Sequence, residues 1–315
     1  LTKIWERVLA TQPVGITHNF FELRGHSLLA VRLFTEIEKA TGRRFPISVL
    51  FQAPTVEQLA NIIRKDTGSS IWSSLVPIQA NGSQPPLFCI HAGAGNVLFY
   101  RDLARNLDAD QPVYGLQALR LDGKQLPHTR IEDMAAHYIK EIRTIQPEGP
   151  YFLAGSSLGG LVAFEMAQQL HVQGQEVGVL AMFDSHGPGY PKLLPNTSLF
   201  RHRLYGFVQR VDLHWGNLLL LGPKEKLAYV LEKAGIVKDR IKRRGKNIAD
   251  KISIVIGHPS QRALRKSENT IGQAARNYVA QVYPGRVTLF RASKQPLPIY
   301  PDPTLGWGEL ALGGV

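Results

Sequence analysis

One stretch of the chain has residue types and spacing suited to covalent chemistry. Tyr151-Phe152-Leu153-Ala154 is an apolar run of strand length, Gly155-Ser156-Ser157-Leu158-Gly159-Gly160 breaks it, and Leu161, Val162, Phe164, Met166 and Ala167 continue as an apolar helix. The central G-x-S-x-G puts a serine on a tight strand-to-helix turn, where small neighbours permit a strained backbone. The hydroxyl of Ser157 then projects from the end of a sheet, and the Leu158 N–H points at any oxyanion formed there. Ser157 reads as a nucleophile and Leu158 as a donor. A Ser-Gly turn without chemistry can carry the same five letters, but it does not call for a strand before and a helix after.

Two more residues stand at element ends. Val177-Gly178-Val179-Leu180-Ala181-Met182-Phe183 is an apolar strand that ends on Asp184. A carboxylate there can orient an imidazole and stabilise its charged form, or simply serve as a turn residue. Ser27 begins a helical pattern running to about Ala40, with Leu29, Leu33 and Ile37 as its stripe and Gly42 as its stop. By position alone Ser27 is a helix cap or an exposed, modifiable hydroxyl. The lone cysteine, Cys89, lies within Leu87-Phe88-Cys89-Ile90 and reads as a buried structural thiol.

The elements that must hold these residues fall into two groups. Before about residue 66, Ile4, Trp5, Val8 and Leu9 share one helical face, and Thr55 caps a last short helix after Ala53-Pro54. Together with the Ser27 helix this predicts a small all-α bundle of three or four helices. Residues 67–84 are rich in Gly, Ser, Asn, Gln and Pro and read as a linker, partly docked through Ile71-Trp72 and Leu75-Val76. From Leu87 strands and helices alternate: strand 87–91, helix 97–107 with Leu98, Phe99, Leu103 and Leu107 inward, strand 113–116, helix 131–145, then the Ser157 turn and strand 177–184. That alternation predicts a parallel sheet covered on both faces. With the serine turn, it is the α/β-hydrolase arrangement. Catalytic parts of such a fold follow in the order Ser, acid, His at the carboxyl ends of strands.

The bulk numbers agree with a globular chain. Its 315 residues allow a small and a large domain, 44 % are apolar and 20 % charged, and neither a membrane span nor a signal peptide is expected. The single cysteine fits a reducing, cytoplasmic setting. Residues 191–266 hold 17 Lys/Arg and 5 Asp/Glu, and the rest of the chain has 20 of each. The run Lys238 to Lys246 is read as a solvated face and not a nucleic-acid surface, since no zinc pattern or regular aromatic spacing goes with it.

Two resemblances sharpen this reading. Phe20-Phe21-Glu22-Leu23-Arg24-Gly25-His26-Ser27-Leu28-Leu29 resembles the F-F-x-L-G-G-H-S-L of peptidyl carrier domains, and Leu50-Phe51-Gln52-Ala53-Pro54-Thr55-Val56 resembles their closing L-F-x-x-P-T-V. The resemblance implies a four-helix bundle over residues 1–66 with 4′-phosphopantetheine on Ser27, attached by a phosphopantetheinyl transferase. A helix N-terminus suits a phosphodiester. Arg24 departs from the family's first glycine, and if that glycine uses positive φ, Arg24 is strained.

Residues 85–315 are similar to the thioesterase domains that end nonribosomal peptide and hybrid polyketide synthetases. Gly155–Gly160, Phe183-Asp184-Ser185 and Tyr283-Pro284-Gly285-Arg286-Val287-Thr288-Leu289-Phe290 carry the likeness. His91-Ala92-Gly93-Ala94-Gly95 resembles the family's H-P-x-G-G loop. Proline, which has no N–H, is usual at the place of Ala92, so Gly93 is the implied second oxyanion donor, and His91 shapes the loop. The same resemblance implies Asp184 as triad acid and a lid at about 188–267. The triad histidine should follow the last strand, yet no histidine stands in residues 259–315. The expectation is a fragment truncated at both ends, with its histidine beyond Val315 and little activity of its own. The implied partners are upstream synthetase modules in cis and an acyl or peptidyl thioester. The alternatives are a free-standing α/β esterase fused to an unrelated helical domain, or a non-catalytic carrier-binding module.

Overall fold

The computed structural model describes residues 1–65, 73–118, 129–190, 208, 272–293 and 302–315. Four helices form at the start of the chain: α1 (Thr2–Leu9), α2 (Ser27–Thr41), α3 (Val49–Gln52) and α4 (Val56–Lys65). Local chemistry sets their ends. Gly42 closes α2 in the left-handed region at φ 69°, its N–H donating to the Glu38 carbonyl. Thr55 and Gln58 make a reciprocal capping box at the head of α4: the Gln58 N–H donates to Thr55 Oγ1 at 3.2 Å, and the Thr55 N–H to Gln58 Oε1 at 3.3 Å. Trp5, Phe20, Leu33, Ile37, Leu50 and Leu59 are fully buried among these helices. Each such side chain is worth about 1.5–3 kcal/mol of burial, which a short bundle needs.

Among the described residues a six-stranded sheet follows, in the order β1-β3-β2-β4-β5-β6. Its strands are β1 (Leu75–Gln79), β2 (Leu87–Ile90), β3 (Val113–Leu116), β4 (Tyr151–Ser156), β5 (Val177–Phe183) and β6 (Thr288–Phe290). β1 is antiparallel to β3 and every other pair is parallel. Helices α5 (Tyr100–Asn106), α6 (Ile131–Arg143) and α7 (Leu158–Val172) connect them. On α6, Ile131, Met134, Ala135, Tyr138, Ile139 and Ile142 are buried. α7 is apolar nearly all round because almost all of it is buried. The result is the α/β-hydrolase fold preceded by a small helical carrier-type domain.

Two expectations change, and a third lies outside the described residues. The linker read over 67–84 contains β1, so its residues 75–79 belong to the sheet. The helix expected from Val97 begins only at Tyr100, and Phe99, expected inward, is 39 % exposed. The lid read at 188–267, with its basic run, falls outside the described residues except for 188–190 and Val208. The four-helix domain, the sheet and the described segments 272–291 and 303–315 belong to one compact unit.

Candidate functional site

Parallel register brings the site residues to one edge. Ile90 of β2 pairs with Gly155 of β4, Gly155 pairs with Met182 of β5, and Ser156 pairs with Phe183. The loops carrying Gly93, Ser157 and Asp184 therefore leave the carboxyl ends of three adjacent strands spaced about 5 Å apart. All three residues are exposed, while Gly155, Leu158, Gly159, Gly160 and Ser185 around them are buried.

Ser157 has φ 54° and ψ −117°, a conformation that L-residues rarely adopt and that costs about 1–3 kcal/mol. Close approaches hold it there. A Cβ on Gly155 would strike the backbone of Gly159 and Gly160, one on Gly159 would lie 2.7 Å from the His91 carbonyl, and one on Gly160 would strike the Ser185 side chain. The Ser157 N–H donates to the Phe183 carbonyl at 3.0 Å, tying the turn to β5. α7 begins at Leu158, so its N-terminal dipole faces the space above the Ser157 hydroxyl.

Asp184 also sits at positive φ, 45°, and its N–H donates to the Phe290 carbonyl of β6 at 2.9 Å. Its neighbour Ser185 is a positioning residue that sequence reasoning missed. Ser185 Oγ donates to the Ser157 carbonyl at 2.6 Å, and the Ser185 carbonyl accepts from Trp307 Nε1 at 2.8 Å. This chain of bonds links the serine turn, the acid strand and the fully buried Trp307 of the last segment. The adjacency Asp184-Ser185 and the missing Cβ of Gly160 were its only sequence signals.

The donor loop is an arch with a firm upstream foot. His91 is fully buried, its Nδ1 2.7 Å from the Ala92 carbonyl and its Nε2 2.8 Å from the Tyr138 hydroxyl. Burial pulls its pKa from 6.5 down to about 4, against the opposing bond to the Ala92 carbonyl, so the ring is neutral near pH 7. It shapes the loop, as expected, and has no path to act as a base. The Gly95 N–H donates to the Ala92 carbonyl at 2.9 Å, turning Gly93 and Ala94 outward. Gly93 is exposed, and no atom would meet a Cβ on it within 4 Å. Cys89 is fully buried, and burial pushes its thiol well above the ordinary range. His186 stands two residues past Asp184, its ring 5.4 Å from that of Tyr190; burial lowers its pKa while Asp184 raises it.

In the helical domain Ser27 is the first residue of α2, half-buried, with Leu28 beside it 47 % exposed. His26 occupies the N-cap in an extended conformation and no side chain caps the helix, which leaves first-turn N–H groups for an anion. The residues fit a phosphodiester. Gly25 approaches Phe20 so closely that a Cβ would overlap its ring, and Arg24 has φ 63°. The strain foreseen at Arg24 is present.

Comparison with known proteins agrees with this division. Residues 1–63 match the phosphopantetheine attachment site family, and residues 85–193 match the thioesterase domain family. The chain is a phosphopantetheine carrier domain joined to a serine-hydrolase thioesterase domain. It is a didomain of the nonribosomal peptide synthetase kind. It is 46 % identical over 187 residues to the dimodular nonribosomal peptide synthase of Bacillus subtilis (strain 168), covering 59 % of this chain and 8 % of that protein. It is 43 % identical over 187 residues to malpibaldin synthetase of Mortierella alpina, covering 59 % of this chain and 3 % of the synthetase. Among solved structures, a four-domain nonribosomal peptide synthetase, holo-AB3403 bound to AMP and glycine, superposes with a TM-score of 0.56 at 27 % identity, over 98 % of this chain and 23 % of that one. The chain thus spans less than a tenth of the length of these two curated relatives.

Proposed function

We propose that this chain is the releasing end of a nonribosomal peptide or hybrid synthetase, in which Ser157 takes an acyl or peptidyl chain from the carrier and passes it to water or to a nucleophile within the chain itself. The observation that carries this reading is the Ser157 turn: a positive-φ serine at the head of a buried helix, flanked by glycines that no larger residue could replace. Bound to Ser27, 4′-phosphopantetheine would supply the thiol that holds the chain as a thioester.

The residues divide the work as follows. Ser157 Oγ attacks the thioester carbonyl, and the Gly93 and Leu158 N–H groups receive the oxyanion, with the α7 dipole adding to their field. The thiol leaves, and an ester on Ser157 remains until a second nucleophile displaces it. Asp184 orients and stabilises an imidazolium. We place that imidazole outside the described residues, since His91 is buried and engaged. Without that imidazole, a serine and an acid keep only what the oxyanion donors supply. The upstream modules and a phosphopantetheinyl transferase are the partners this reading requires.

In the intact synthetase, Ser157→Ala is expected to lower product release at least about 1000-fold and to leave the finished chain as a thioester on Ser27, seen by mass spectrometry of the carrier peptide. Continued release by that variant would remove Ser157 from its role. Treatment with a phosphopantetheinyl transferase and coenzyme A should add the prosthetic mass at Ser27. No gain there would favour an esterase fused to an unrelated bundle.

A further inference from the structure

The buried cluster of the carrier domain contains, among the described residues, one buried residue from outside it. Among Trp5, Phe20, Leu33, Leu50 and the other buried members, all within the first 59 residues, stands Leu98, 4 % exposed. Leu98 lies just past the donor loop, between β2 and α5. Two turns of the carrier reach this point. Phe51 of α3 packs against both the carrier cluster and the sheet cluster that holds Val97 and Tyr100. Phe21, whose ring lies 6.1 Å from that of Phe51, carries the Arg101 guanidinium at 4.1 Å over its face. Burial depresses the pKa of Arg101, with Arg105 acting in the same sense, while Asp102 and the carrier's Glu22 offset the effect. A half-desolvated guanidinium over an aromatic face is the stronger form of this contact.

We propose that Leu98 and Arg101 form the seat on which the chain's own carrier docks, and that docking holds the downstream foot of the Gly93 loop in its donor conformation. The upstream foot is fixed by His91 on Tyr138 and by the Tyr100 hydroxyl on the Ile90 carbonyl at 2.7 Å. The downstream foot has Val97 buried against the sheet, with Leu98 beside it packed into the carrier cluster. When the carrier leaves, Leu98 loses its carrier partners, and the downstream foot keeps only Val97 against the sheet and the Ala118 N–H on the Gly95 carbonyl. A seat of so few side chains is weak enough for a carrier that must also visit other sites. Its tether restores contact through a high local concentration. The loop is therefore best formed when a carrier is seated beside it, which disfavours attack on thioesters arriving without one.

This inference rests on the reading of Gly93 as a donor, but its test needs no turnover. Amide hydrogen exchange of the whole chain is compared between the native protein, Arg101→Ala and Phe21→Ala. The Gly95 and Ala118 amides, which donate to the Ala92 and Gly95 carbonyls at 2.9 Å, report on the arch. Protection in α2 and α7 reports that both domains stay folded. The expected result is exchange about fivefold faster at Gly95 and Ala118 in both variants, with α2 and α7 unchanged. Phe21→Ala is decisive, because it lies in the carrier and reaches the arch only through the seat. Faster exchange in residues 49–53 with an unchanged arch would overturn the coupling. No change at either place would overturn the seat. Either failure leaves the Ser157 experiment standing, and failure of that experiment leaves this one readable.

Discussion

Arg24 occupies a backbone position, φ 63°, that favours glycine, and it does so three residues before Ser27. A side chain in the left-handed region costs about 1–2 kcal/mol, and a glycine returns about 0.5–1 kcal/mol of that through the entropy of the unfolded chain. Arg24→Gly is therefore expected to stabilise the carrier by about 0.5–1 kcal/mol, read as a rise in its thermal midpoint. Arg24→Ala keeps the strain and should give no such rise, which separates the backbone effect from loss of charge. Gly25 beside it has no such latitude, since a Cβ there would overlap the Phe20 ring. Ser157 and Asp184 were legible because their signals are local: glycines at fixed offsets and an apolar run ending on a carboxylate. Ser185 was not, because its partners, the Ser157 carbonyl and Trp307, are 28 and 122 residues away.

At the scale of elements, the sheet was legible from Leu87 onward because buried parallel strands read as apolar runs. β1 was not. Its Leu75-Val76-Pro77-Ile78-Gln79 contains a proline amid turn-forming neighbours, and proline argues against a central strand. At the edge of the sheet, beside β3 alone, the missing N–H costs no ladder bond. The start of α5 was misread for another reason: Leu98 precedes the helix and packs into the carrier cluster, a contact that periodicity cannot show. The donor loop makes a prediction at this scale through His91. Its pKa is lowered by burial to about 4, so between pH 6.5 and 4 the unfolded chain binds a proton that the folded chain refuses. Stability is then full above about pH 6.5 and falls as the pH drops toward 4, by about 3 kcal/mol from this residue. His91→Gln keeps a hydrogen-bonding group for Tyr138 and removes the titration. It should be less stable at pH 7 yet lose less between pH 6.5 and 4 in denaturant titrations. Parallel loss in both proteins would mean that His91 takes up its proton without leaving its site.

At the scale of the molecule, the described residues give the carrier one buried cluster and the sheet two, and Leu98, Phe51 and the Arg101–Phe21 pair bridge carrier and sheet. Carrier and sheet each hold a fully buried tryptophan, Trp5 in the carrier and Trp307 beside the acid strand. A bridge of this size adds a few kcal/mol at most, which is too little to fuse a bundle of about 65 residues to a sheet with a far larger core. Calorimetry of the chain is expected to show the carrier unfolding first and the thioesterase body at higher temperature, as separate transitions. Trp5→Phe should reduce the fluorescence change of the first transition and leave that of the second, to which Trp307 contributes. Arg24→Gly should move only the first, and a drop in pH from 6.5 to 4 should act on the second through His91. A single transition that both perturbations shift together would show instead that the bridge binds the two domains into one cooperative unit, and the carrier could then leave its seat only when the whole molecule unfolds.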